Sequence, residues 1–96
     1  MKRRRYLVCY DIANDKRLRR IAKICQSYGN RIQFSVFECS LDDMLLASLK
    51  SECLEVIHHY DDQILFVDLG PDDENTPFTI QCIGSPYMEK SRITII

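Results

Sequence analysis

Apolar and polar positions change period several times along this chain, and each change marks an element. Residues 5 to 12 are the first predicted strand, centred on Tyr6-Leu7-Val8-Cys9-Tyr10. Leu7, Cys9 and Asp11 point one way, and Tyr6, Val8, Tyr10 and Ile12 the other. Both faces are largely apolar, which a sheet with one solvated face does not need. Ala13-Asn14-Asp15 is a turn in which Asn14 or Asp15 is a ready N-cap. From Lys16 to Tyr28 the spacing becomes i, i+3, i+4. Leu18, Ile21, Ala22, Cys25 and Tyr28 share one buried helical face, and Gly29 is placed to cap the C-terminus. Arg31 to Cys39 alternates again, Ile32, Phe34 and Val36 against Gln33, Ser35 and Phe37. This predicts a second strand that runs on to Leu41 through a bend or bulge, in effect a short third strand.

Ser40-Leu41-Asp42-Asp43 then caps a second helix with acids in its first turn. Leu41, Leu45, Leu49, Cys53 and Val56 line its core side, and residues 58–62 end it. Residues 63–69 are a further strand and 70–77 an acidic loop. Residues 78–84 are predicted as a short strand, 85–91 as a loop and 92–96 as a terminal strand. Strand-helix-strand followed by helix-strand predicts an α+β ferredoxin-like sandwich, an antiparallel sheet with both helices on one face. The 96 residues make one such domain, burying about two-thirds of its unfolded surface. The sheet's other face is still apolar and calls for a partner.

Charge changes the picture more than composition does. Residues 1–31 carry ten Lys/Arg against Asp11 and Asp15, whereas residues 32–96 carry three against twelve acids. The net charge of −1 hides this split, which suggests a polyanion-binding surface on an acidic body. Lys16, Arg17, Arg19 and Arg20 also crowd the N-terminal half of the first helix, where the helix dipole favours acids. Residues that oppose a local preference point to function, here phosphate binding. The five cysteines, at 9, 25, 39, 53 and 82, form no CxxC and suit no zinc site. They read as small hydrophobes of a reducing cytoplasm. The basic Lys2-Arg3-Arg4-Arg5 is followed by no signal-peptide apolar region, and no stretch is long enough to span a membrane. A cytoplasmic location is expected.

Asp11 is the leading site candidate. A carboxylate at a strand end beside a basic helix can hold Mg²⁺, a hard cation that takes oxygen ligands, or can simply cap the turn. Spacing alone leaves these two roles equally open. Arg17, Arg19, Arg20 and Arg31 are phosphate candidates, since the guanidinium fork suits phosphate better than an ammonium does. Ser35 has no nearby His-Asp pair. His58 and His59, at a helix C-terminus, read as surface residues.

Tyr10-Asp11-Ile12, the basic helix and Gln33-Phe34-Ser35-Val36-Phe37-Glu38 together resemble the small CRISPR-associated endoribonuclease family, along nearly the whole chain. That family partners the CRISPR integrase in acquiring new spacers. The resemblance implies a homodimer with sheet facing sheet, residues 85–96 reaching the partner and the terminal strand extending the partner's sheet. It also implies that Asp11 of each subunit shares one Mg²⁺, tipping the balance to the metal role. RNA, or double-stranded DNA, would be the substrate. Arg17, Arg19 and Arg31 would hold nucleic acid, and Phe37 would serve catalysis or support the interface. Tyr10, by residue type, is a catalytic candidate that could position a water or stack on a base, against the core role more usual for an aromatic in a strand. The rival readings are a non-catalytic scaffold for the integrase, a toxin-type ribonuclease of related fold, and a ligand-binding regulatory domain. The Arg-rich helix argues against the last.

Overall fold

The computed structural model describes residues 2–73 and 79–87. Six elements follow in chain order: β1 (Arg4–Asp11), α1 (Asp15–Gln26), β2 (Gly29–Gln33), β3 (Val36–Leu41), α2 (Asp43–Leu54) and β4 (Gln63–Pro71). The strands form one sheet in the order β2-β3-β1-β4, with every neighbouring pair antiparallel. This is the expected ferredoxin-like sandwich. Alternation along β1 sends Tyr6, Val8 and Tyr10 under the helices, where they meet Phe37, Cys39 and Leu41 of β3. Ile21 and Cys25 of α1 and Leu49 and Cys53 of α2 close this core from above. The helix starts follow local chemistry. The Asn14 side chain accepts from Arg17 N at 3.0 Å, and Asp42 accepts from Leu45 N at 2.8 Å.

The sheet's second face carries Leu7, Cys9 and Asp11 of β1 with Val36, Glu38 and Ser40 of β3. Leu65 and Val67 of β4 are 49% and 42% exposed there. The doubly apolar pattern of β1 is thus explained: one face makes the intrachain core, and the other, with Leu7, Cys9 and Val36 half-buried, is covered by no helix among the described residues.

Three local expectations are corrected. The predicted long second strand is two strands joined by a tight hairpin at Phe34-Ser35, with Gln33 opposite Val36. The turn lacks the glycine or asparagine that usually announces a two-residue hairpin, and no non-glycine residue among those described has positive φ. A register shift between Arg31 and Gln33 accommodates the turn. The hairpin reverses the chain, so Phe37 faces the core and Val36 the helix-free side. Gly29 does not cap α1. Ser27 ends the helix in right-handed geometry, and Gly29 opens β2. Its need for a hydrogen side chain is steric, since a Cβ would lie 2.3 Å from the Glu38 carbonyl oxygen and 2.5 Å from Cys39 Sγ. Gly29→Ala is therefore expected to force β2 away from β3 and cost about 1–3 kcal/mol, read as a lowered urea midpoint. Finally, residues 79–84 form no strand. The predicted terminal strand at 92–96 lies outside the described residues.

Candidate active site

Asp11 closes β1 on the helix-free face of the sheet, exposed, with Gln63 as its neighbour on β4. The turn that follows is held from beneath by a residue the sequence did not single out. Asp62, whose side chain is wholly inaccessible, accepts from Ala13 N at 2.9 Å and from His58 N at 2.7 Å. It also accepts from Arg17 Nε at 2.7 Å and Nη2 at 3.0 Å, a bidentate pair. The Arg17 guanidinium, followed by the backbone N–H groups, holds the Asp62 carboxyl well below the ordinary carboxylate range. Asp62 thereby ties the loop after α2 to the β1–α1 turn, two residues past Asp11. In sequence Asp62 is one of two acids in a polar run, with no signal that one would be buried.

The structure divides the remaining candidates. Arg17 is committed to Asp62, so its guanidinium is an internal strut. Tyr10 lies on the helix-facing side, opposite in pleat to Asp11, and its hydroxyl donates to the Phe34 carbonyl oxygen at 3.3 Å. Burial pushes its phenol up, and the neighbouring Arg31 opposes that shift. Phe37 is fully buried in the intrachain core, its ring 6.1 Å from that of Tyr10. Arg31 lies between two rings, its Cζ 5.1 Å from the Phe37 centroid and 5.8 Å from that of Phe34. Its Nε is buried and has no hydrogen-bond partner among the described residues. Tyr10, Arg31 and Phe37 are thus brought together as a support beneath the strand end, while Asp11 stands apart on the other face.

Arg19 and Arg20 remain open. With Lys16 and Lys23 they are exposed on the outer side of α1, and none forms an ion pair among the described residues. The N-terminal arginines are less available. Arg4 pairs with Asp68 at 3.0 Å and Arg5 with Asp72 at 2.9 Å, and Arg3 donates to the Ser40 carbonyl oxygen at 2.9 Å. The usable positive surface is consequently narrower than the charge count implied and centres on α1. Replacing both Arg19 and Arg20 by Ala should weaken binding to every oligonucleotide and flatten the log–log salt dependence. The slope should change by about 0.7–0.9 for each phosphate that is no longer neutralised, read by titration at several salt concentrations.

Among the described residues no group of three or more His, Cys, Asp or Glu is placed to hold an ion, so Asp11 belongs to no such cluster. An exposed carboxylate suits Mg²⁺, which keeps several waters and needs only one or two protein oxygens beside those of phosphate. The chemistry of the donor fits. His58 is occupied in its own turn, where Nδ1 accepts from Tyr60 N at 3.3 Å and Asp61 N at 3.2 Å.

The model of the family described as CRISPR associated protein Cas2 matches residues 4–76. The chain is 37% identical over 82 residues to the CRISPR-associated endoribonuclease Cas2 of Geobacter sulfurreducens, covering 85% of each chain. It is 34% identical over 91 residues to CRISPR-associated endoribonuclease Cas2 1 of Rhodospirillum rubrum, covering 95% of this chain and 88% of that one. Among solved structures, Cas2 of Streptococcus pyogenes superposes with a TM-score of 0.66 at 35% identity, covering 80% of this chain and 99% of that one. A hypothetical protein from Thermus thermophilus does so with a TM-score of 0.74 at 30% identity, covering 90% and 99%.

Proposed function

This chain belongs to the CRISPR associated protein Cas2 family, and from that premise we propose that it is a homodimeric, Mg²⁺-dependent endonuclease cutting phosphodiester bonds of RNA. The observation that carries the reading is the position of Asp11, an exposed carboxylate at the end of the helix-free sheet face, where Leu7, Cys9, Leu65 and Val67 form an apolar strip. A second copy laid against that face would remove Leu7, Cys9, Leu65 and Val67 from water, a favourable burial. It would also bring two Asp11 carboxylates toward one site. Mg²⁺ bound there supplies positive charge at the scissile phosphate and makes its water more acidic. The chain's own residues do the rest. Asp11 provides the ligand oxygens, and Asp62 and Arg17 hold the turn that fixes its backbone. Lys16, Arg19 and Arg20 raise the local concentration of phosphate backbone.

A labelled single-stranded RNA and a DNA duplex, incubated with the purified chain in Mg²⁺ and then in EDTA, test the proposal. Cleavage in Mg²⁺ alone supports it, together with light scattering at twice the chain mass at micromolar concentration. A monomer at that concentration would remove the shared site. One observation favours a second reading, a non-catalytic nucleic-acid scaffold for the CRISPR integrase. The open basic side of α1 lies on the helix layer, across the sheet from the face that carries Asp11. Tight, salt-sensitive binding with no cleavage across pH and divalent metals would select that reading.

A further inference from the structure

The β2–β3 hairpin carries a feature that neither the core nor the carboxylate site uses. Phe34 stands at the tip of a two-residue turn, 70% exposed, whereas Tyr10 and Phe37 beside it are buried. The Arg31 guanidinium lies over its ring, 5.8 Å from the centroid, and 5.1 Å from that of the buried Phe37. The tip is nonetheless firmly held. The Tyr10 hydroxyl donates to the Phe34 carbonyl oxygen at 3.3 Å, and Tyr10 N donates to the Ser35 carbonyl oxygen at 3.1 Å. These bonds put the tip at the end of the sheet where β1 delivers Asp11. One face of the Phe34 ring is thus backed by a cation, and the rest is offered to solvent on a fixed turn.

We propose that Phe34, supported by Arg31, is a stacking platform for an unpaired nucleobase, and that it directs single-stranded nucleic acid to the Asp11 end of the sheet. The chemistry favours this occupant. Every nucleobase presents a π face to an aromatic ring, and base–aromatic stacking requires that the base be unstacked from its neighbours. A guanidinium beneath the ring adds positive charge next to the phosphate that follows the base. A duplex keeps its bases stacked and offers this ring only sugar and phosphate. The inference deepens the nuclease reading by naming the residue that would seat the strand, and it rests on that reading only for what happens after binding.

Binding is measured by anisotropy in EDTA, so that cleavage does not enter, using one labelled RNA strand alone and the same strand in a duplex. Phe34→Ala should weaken single-strand binding roughly 5- to 100-fold, the cost of removing one base stack, and leave duplex binding unchanged. The salt slope should stay the same, because every phosphate partner is retained. Phe34→Tyr should bind as wild type, and Phe34→Leu should resemble Phe34→Ala. Equal weakening on single strand and duplex, or wild-type binding by Phe34→Leu, would overturn the platform. So would a change in oligomeric mass on Phe34→Ala, which would make the ring a subunit contact. A wild type that cuts nothing but shows the Phe34-dependent single-strand preference would sink the nuclease reading and leave the platform standing.

Discussion

Asp11→Asn is expected to fold, dimerise and bind nucleic acid as the unaltered chain does, and to lose metal-dependent cleavage. The side chain is exposed at a strand end and takes no part in the core, so replacing it by its isosteric amide costs little stability. The change removes one charge per chain, hence both charges of a paired site. An amide is a poor ligand for Mg²⁺ beside a carboxylate. The rate should fall roughly 10²- to 10³-fold, the range seen when one group that stabilises developing charge is removed. Circular dichroism and light scattering check that fold and assembly survive, and a single-turnover assay reads the rate. Cleavage at the unaltered rate would place the chemistry elsewhere and return Asp11 to the turn.

Stability, by contrast, hangs on the pair beneath the turn. Arg17→Ala leaves the inaccessible Asp62 carboxylate without its guanidinium, and a buried charge stripped of its partner is strongly unfavourable. The melting temperature should drop by several degrees or more, and cleavage should fall with it because the turn beyond Asp11 loosens. Arg17→Ala is therefore not a clean probe of nucleic-acid binding, whereas Arg19→Ala is. The pair also carries a pH signature. The folded-state pKa of Asp62 is depressed, so its contribution is fully present above the unfolded value, near 4, and fades as pH falls toward the folded one. The stability gap between wild type and Asp62→Asn should be flat above about pH 5 and shrink steadily below pH 4. Denaturant midpoints across that range give the comparison; a gap that widens on acidification would contradict the assigned sign.

The order of strands and helices is legible because it rests on burial, and burial leaves a period in the sequence. Tyr6, Val8 and Tyr10 in β1, and Leu49, Cys53 and Val56 at and after α2, are placed as their spacing requires. The hairpin at Phe34-Ser35 is not legible, since it contains neither glycine nor asparagine and its flanks alternate without a visible break. Gly29 misleads because a glycine after a helix usually marks a left-handed cap. Here close approach of β3 demands it, a steric limit set by residues nine and ten positions away. In the site, the exposed end position of Asp11 follows from strand parity. The diversion of Arg17 does not, because Asp62 lies 45 residues away and the pairing depends on how α2 returns to the sheet. Residue type can suggest that an arginine binds phosphate; only the fold reveals that a carboxylate has already taken it.

If two chains share one catalytic site through their Asp11 carboxylates, neither carboxylate suffices alone. Mixed dimers put this to the test, one subunit unaltered and the other Asp11→Asn, isolated through two different affinity tags and assayed on single-stranded RNA in Mg²⁺. A shared site predicts that the mixed dimer is close to the doubly substituted one, because a single carboxylate remains for the metal. Cleavage at half the unaltered rate would mean that each chain carries a complete site of its own.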